Sequence, residues 1–195
     1  MKVVNFDQKV FDSFLQKSLE KFLGENGNCL VVGIKEGGIP IAKMVVKQLQ
    51  KESSTKIDFV SVTCQRPSTK RKKSNQLIKI TLQKSFKILP QSILNRLRVI
   101  EYKYLLHKAE NNSREITFPD NFDWKVYDKI LVVDDAVDSG NSLRSVLEKI
   151  EQEIIIPKTN IISLTVVVTN KESVIVPDYY LYSDVLIRFP WSLDG

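Results

Sequence analysis

The sequence predicts an α/β protein with a mostly parallel central sheet flanked by helices. Three observations predict it. Cys29-Leu30-Val31-Val32-Gly33 and Ile130-Leu131-Val132-Val133 are short continuous apolar runs, the pattern left by parallel strands buried on both faces. Segments of helical periodicity separate such runs. A glycine-bearing loop follows each run, at the strand ends where ligands sit in open α/β sheets.

The elements follow in order. Val10, Phe11, Phe14, Leu15, Leu19, Phe22 and Leu23 are spaced as one helix face over residues 7–23, and Gly24 and Gly27 stop it. After the strand at 29–33 come Gly37 and Gly38, then a helix from about Ile39 to Lys51. Ile57–Cys64 reads as a strand. Residues 65–76 are polar, basic and turn-rich, which predicts a mobile loop. Leu77–Leu82 alternates like a strand or hairpin arm, Ser92–Lys108 is helical, and 110–125 is a polar connection. The strand at 130–133 leads through the loop 134–141 into a helix from about Ser142 to Glu153. Strands are expected at 160–168, at 179–181 and at 185–189. Neither internal repeats nor low-complexity segments interrupt this order.

Composition bounds the function. The chain has 195 residues, 43% hydrophobic and 27% charged, which suits one soluble globular domain and excludes disordered and fibrous classes. No apolar run approaches the roughly 20 residues that span a bilayer. The start, Met1-Lys2-Val3-Val4-Asn5-Phe6-Asp7, lacks the apolar core of a secretory signal. Two cysteines, Cys29 and Cys64, are expected to be buried reduced thiols, and a single histidine, His107, leaves no Cys/His metal spacing. A cytoplasmic protein is expected. The net charge of +6 is uneven: residues 59–100 contain ten basic residues and no acid, and the remainder is net negative. Such a segment favours a polyanion, whether phosphates, nucleic acid or an anionic membrane, or is simply a solvated basic surface.

The most informative stretch is Asp134-Asp135-Ala136-Val137-Asp138-Ser139-Gly140-Asn141-Ser142. Free N–H groups at a helix start, with the Ser139 and Ser142 hydroxyls, suit a phosphate, and Gly140 lets the backbone approach it. Asp134 and Asp135 would repel a phosphate and instead suit sugar hydroxyls or Mg²⁺. Together these describe a site for a ribose 5-phosphate. Other readings of the same residues are the DDxxD pattern of prenyl-diphosphate synthases, a phosphoaspartate site and a capped strand-to-helix turn; the preceding β-run, Gly140 and the helix-opening hydroxyls weigh against them.

The stretch resembles the signature of type I phosphoribosyltransferases: an apolar strand, two acids, two apolar residues, then Asp-Thr-Gly-x-Thr, here with serine for both threonines. Ile34-Lys35-Glu36-Gly37-Gly38-Ile39-Pro40 is similar to that family's pyrophosphate loop, with Glu36 a departure from the basic residue of some relatives. The resemblance implies that Asp134 and Asp135 bind the ribose hydroxyls of phosphoribosyl pyrophosphate (PRPP) and Mg²⁺. It implies that Ser139, Gly140, Asn141 and Ser142 bind the 5-phosphate, that Lys35, Glu36, Gly37 and Gly38 face the pyrophosphate, and that Asp138 is the general base. It also makes Lys35-Glu36 the candidate for a non-proline cis peptide.

Three further segments complete the expectation. The basic loop 65–76 corresponds to one that closes over the family's active site; Arg66 and Lys70 are expected to stabilise the leaving pyrophosphate. Residues 84–109 form a basic helical insertion whose stripe of Ile93, Leu94, Leu97, Ile100, Tyr104 and Leu105 is expected to pack on the core. The other reading is peripheral contact with the inner face of an anionic membrane. The tail from about 177 to 195, with Pro190-Trp191, resembles the hood of xanthine-guanine-type enzymes. It places Leu186 at the base-stacking position and Ile187 at the edge-reading one, and Lys171 is the nearest candidate for the lysine expected at a purine 6-oxo group. The expected function is PRPP-dependent phosphoribosyl transfer to a nucleobase such as a 6-oxopurine. A sugar hydroxyl of a membrane-associated polysaccharide is the alternative acceptor, and a PRPP-sensing regulator the second alternative. Nucleic acid is not an expected partner, since no recognised binding motif accompanies the charge. A homodimer is what the resemblance implies for assembly.

Overall fold

A computed structural model describes residues 1–23, 27–52, 56–65, 90–107, 114–119, 123–153 and 160–192. The elements are strand β1 (Lys2–Asn5), helix α1 (Gln8–Leu23), β2 (Cys29–Ile34), α2 (Gly38–Glu52), β3 (Ile57–Gln65), α3 (Gln91–His107), β4 (Glu115–Thr117), a 3₁₀ turn (Trp124–Val126), β5 (Lys129–Val137), α4 (Asn141–Glu153), β6 (Ile161–Val168), β7 (Tyr179–Ser183) and β8 (Val185–Arg188). Asp7 starts α1 by accepting the backbone N–H groups of Lys9 and Val10 on Oδ1, at 2.9 and 3.2 Å.

Six strands form one sheet in the order β4-β3-β2-β5-β6-β7, parallel throughout except for the antiparallel edge strand β4. The chain runs from β2 to β3 on one side, then returns to lay β5 on the other side of β2. The order therefore reverses between β2 and β5, and their carboxyl ends open the crevice where such sheets bind ligands.

The strands are buried on both faces, so alternate residues feed two cores. Val31, Leu131, Val133, Leu164 and Val166 pack on one side against Phe11, Leu15 and Leu19 of α1 and Ile41, Val45 and Leu49 of α2. Leu30, Val32, Ile34, Ile130 and Val132 pack on the other against Leu143, Val146 and Ile150 of α4. Both cysteines are free, Cys29 buried and Cys64 half-buried.

Four expectations change. The first residues form β1, which pairs in parallel with β8 as a separate two-stranded sheet, Val3 opposite Leu186 and Val4 opposite Ile187. The polar connection contains β4. The strand predicted to end at Val133 continues to Val137, because its neighbour β6 carries the pairing on as far as Val137 opposite Val168; Asp134 and Asp135 are strand residues rather than loop residues. Finally, the described part of the α3 stripe does not pack on the core: Ile93, Leu97 and Ile100 are 44%, 45% and 64% exposed, and only Leu94 is buried. Leu77–Leu82 lies outside the described residues.

Candidate active site

The two loops at the switch point meet. The turn after β2 passes so close to β5 that a Cβ at Gly37 would overlap the Asp135 carboxylate. The Lys35-Glu36 peptide within this turn is cis. On the other side, Gly140 adopts a φ of +79°, a left-handed conformation that turns the chain from β5 into α4 at little cost only for glycine. Ser139 holds the turn from outside, its carbonyl accepting the Val174 N–H at 3.0 Å.

Two cavities adjoin here. The smaller, about 230 Å³, is lined by Asp134, Asp138, Ser139, Gly140, Ser142 and Arg114, among others. It lies over the N-terminal turn of α4, where unpaired backbone N–H groups and the helix dipole favour an anion. Arg114 adds a cation, its Nη1 donating to Ser142 Oγ at 2.7 Å. Asn141 is buried and donates from Nδ2 to Ser139 Oγ at 3.3 Å.

The larger cavity, about 680 Å³, runs from Glu36, Gly37 and Asp135 past Asp138 and Thr169 to Leu186, Ile187, Phe189 and Trp191. Helix α3 closes its remaining side with Arg98 and Tyr102. Ala136 and Asp138 line both cavities, so Asp138 stands at their junction. The Thr169 hydroxyl donates to Asp138 Oδ1 at 2.5 Å. Phe189 and Trp191 stack at 5.1 Å with an interplanar angle of 19°.

The acid pair is electrostatically loaded. Burial and then the neighbouring Asp135 charge lift Asp134 well above the ordinary carboxylate range. Burial lifts Asp135 too, opposed by the hydrogen bonds it accepts. Among the described residues, no group of three or more His, Cys, Asp or Glu side chains forms a preassembled metal cluster. The adjacent carboxylates, Asp134 buried and Asp135 half-buried, are hard oxygen donors. They fit Mg²⁺, which is usually held by one or two carboxylates together with substrate oxygens.

Most of the predicted site residues in 36–38 and 134–142, with Leu186 and Ile187, line one cavity or the other; Lys35 lines neither, Gly38 packs on Asp134, and Asn141 supports Ser139. Lys171 is a correction: its Nζ pairs with Asp184 Oδ2 at 2.5 Å on the surface, 75% exposed, and it does not line the larger cavity. Arg66 and Lys70 lie outside the described residues. Sequence reasoning missed Arg114, Arg98, Tyr102 and Thr169. Only Thr169 left a signal, as a polar residue directly after the apolar run of β6.

A switch-point crevice with an anion cradle beside a carboxylate-rich pocket defines a nucleotide-type transferase site. The phosphoribosyl transferase domain model matches residues 7–194, and the chain belongs to that family: it is a phosphoribosyltransferase. Its fold is similar to that of a purine phosphoribosyltransferase from Pyrococcus horikoshii, at 17% identity and a TM-score of 0.61, covering 98% of this chain and 95% of that one. It is also similar to the xanthine-guanine-hypoxanthine phosphoribosyltransferase of Helicobacter pylori, at 18% identity, a TM-score of 0.51 and coverage of 99% and 94%. A hypoxanthine phosphoribosyltransferase from Trypanosoma cruzi aligns at 7% identity and a TM-score of 0.55, over 90% of this chain and 75% of that one. No curated protein matches the chain in sequence. Among the described residues, no helix is long and apolar enough to cross a membrane.

Proposed function

We propose that this enzyme transfers the 5-phosphoribosyl group of PRPP to a nucleobase of the 6-oxopurine class, releasing pyrophosphate. The observation that carries the reading is the pair of cavities meeting at Asp138: one suits a phosphate, the other a flat apolar acceptor, and a ribose spans the junction. The loop 139–142 and Arg114 hold the 5-phosphate. Asp134 and Asp135 hold the ribose hydroxyls and are the residues that would bind Mg²⁺, which supplies charge neutralisation for the pyrophosphate. The turn 35–38 receives the leaving pyrophosphate on the backbone N–H groups of residues 36–38, the Lys35 N–H being donated to the Val62 carbonyl at 2.9 Å, with Arg66 and Lys70 of the basic loop adding positive charge. Asp138 takes the acceptor's proton as the new bond to C1 forms. Leu186 and Ile187 form the acceptor wall. In this reading the chain is a single domain, 1–195, whose sequence includes the basic loop 65–76, the insertion 84–109 and the hood 177–195.

The test is pyrophosphate release from PRPP and Mg²⁺ with guanine, xanthine and hypoxanthine, beside PRPP binding by calorimetry. Release with at least one base supports the reading. Tight PRPP binding without release from any base would shift the acceptor to another class.

One observation favours a second reading, in which the acceptor is a sugar hydroxyl on a membrane-associated glycan. The exposed Ile93, Leu97 and Ile100 lie in the acid-free, ten-cation segment, which complements an anionic bilayer. Flotation with phosphatidylserine vesicles should then depend on these three side chains. Equal recovery of wild type and a triple serine variant would remove the membrane contact.

A further inference from the structure

A second depression lies outside the site. Strand β1 and helix α3 enclose a groove of about 520 Å³, to which Met1, Val3, Val99 and Ile100 give apolar walls. Lys2 and Arg96 line it as well. Both cations are exposed, and neither has a side-chain ion pair or hydrogen bond among the described residues. Helix α3 separates the groove from the larger cavity. Arg96, Val99 and Ile100 line the groove, whereas Arg98 and Tyr102, one turn apart, line the cavity. The apolar surface extends beyond the groove: Met1 is 50% exposed and Ile100 64%, and Ile93 and Leu97 continue the row along α3. Exposed apolar side chains gathered in this way mark a binding surface rather than ordinary scatter.

We propose that this groove holds one anionic lipid of a membrane surface, its acyl chain against Val3, Val99 and Ile100 and its headgroup on Lys2 and Arg96. The site goes beyond the transfer reaction, and it rests on the second reading only in giving that reading's bilayer contact a defined place. Two arguments select this occupant. An apolar trough that also carries cations matches an amphiphile with an anionic head: the acyl chain takes apolar surface out of water while the headgroup meets both charges. A second copy of the protein fits poorly, because a symmetric contact sets the same patch against itself and Lys2 and Arg96 would face like charges. Arg96 lies in the segment 59–100, whose ten basic residues have no acid among them to answer such a copy. Val3 is paired with Leu186, which lines the larger cavity, so the lipid lies one strand away from that cavity.

The experiment is binding of dodecanoate, a single acyl chain with an anionic head, measured by calorimetry, beside flotation with phosphatidylserine and with phosphatidylcholine vesicles. Wild type should bind one dodecanoate per protein and float with phosphatidylserine vesicles only. Lys2→Gln and Arg96→Gln should each weaken both interactions by about five-fold, the contribution of one basic residue at an anionic surface. Ile100→Asn, at an exposed position that folding does not depend on, should weaken dodecanoate binding by about as much. PRPP binding should stay at the wild-type value in all three variants, which separates the groove from the phosphate cradle. Flotation that needs Ile93 and Leu97 but neither Lys2 nor Arg96 overturns the groove and leaves the bilayer contact standing. Dodecanoate binding untouched by the three substitutions, or self-association that Ile100→Asn abolishes, overturns the proposal as well. A wild type that releases no pyrophosphate with any base, yet binds dodecanoate in the manner expected, removes the nucleobase reading and supports this one.

Discussion

The hydroxyl of Thr169 donates to Asp138 Oδ1 at 2.5 Å, linking the carboxyl ends of β6 and β5. The same hydroxyl lies 3.2 Å from the Val137 carbonyl, but its one proton serves the shorter, charged acceptor. Tyr102 of α3 lines the same cavity as Thr169 and Asp138. The arrangement fixes the carboxylate's orientation at the junction of the two cavities.

If Asp138 handles the acceptor's proton, Asp138→Asn should cut pyrophosphate release by about 10²- to 10⁴-fold. PRPP affinity measured by calorimetry should stay within a few-fold of wild type. Thr169→Val removes only the orienting bond and should cost about ten-fold in kcat, with PRPP binding unchanged. Full activity in Asp138→Asn would end its assignment as the base.

Gly37 tests the contact between the two loops. A methyl group there collides with the Asp135 carboxylate, which cannot move far because the residues on either side, Asp134 and Ala136, are paired with β6. Gly37→Ala should therefore weaken PRPP binding by about ten-fold or more while leaving the far-ultraviolet circular dichroism unchanged. Wild-type affinity in this variant would show that the turn is free to shift.

Arg114 tests the anion cradle. Removing it takes a charged donor from Ser142 and a cation from the smaller cavity. Arg114→Ala should weaken PRPP binding by about ten-fold, and added salt should weaken the variant's binding less than that of wild type. Equal salt dependence in the two proteins would remove Arg114 from the phosphate site.

What was legible in the sequence follows from what local patterns encode. The strand cores at 29–33 and 130–133 stood out because burial on both faces demands continuous apolar residues, and the segments after them because their residue types are specific to anions and hydroxyls. Arg114 was not legible: it enters the site on β4's short flank, and nothing in the polar stretch around it distinguishes that position. The orientation of α3 was misread because periodicity reports that a helix has an apolar face, not which way tertiary contacts turn that face. Here the bonds from Arg98 to Ile187 and from Arg188 to Asn95 hold the polar face inward. The pairing of β1 with β8 was hidden for a related reason: it joins segments far apart in the sequence, and four residues, two exposed and two half-buried, carry little periodic signal.

Cys29 provides a pH-dependent prediction independent of the site. Burial at the start of β2 pushes its thiol up to about 12, with the nearby Lys129 acting weakly in the opposite direction. In the unfolded chain the thiol ionises near its ordinary value of about 8.5. Below that value both states hold the proton and the thiol adds no pH dependence. Above it the unfolded state gains stability by ionising while the folded state cannot follow until about pH 12. Folding stability should therefore fall by about 1.4 kcal/mol per pH unit over this window from this group alone. Urea unfolding of wild type and Cys29→Ala at pH 8 and pH 10 isolates the effect, because the cavity left by the missing sulfur costs the same at both values. The wild type should lose about 2 kcal/mol more than the variant on going from pH 8 to pH 10. Parallel losses in the two proteins would mean that Cys29 ionises in place, and that the core beneath α1 admits water.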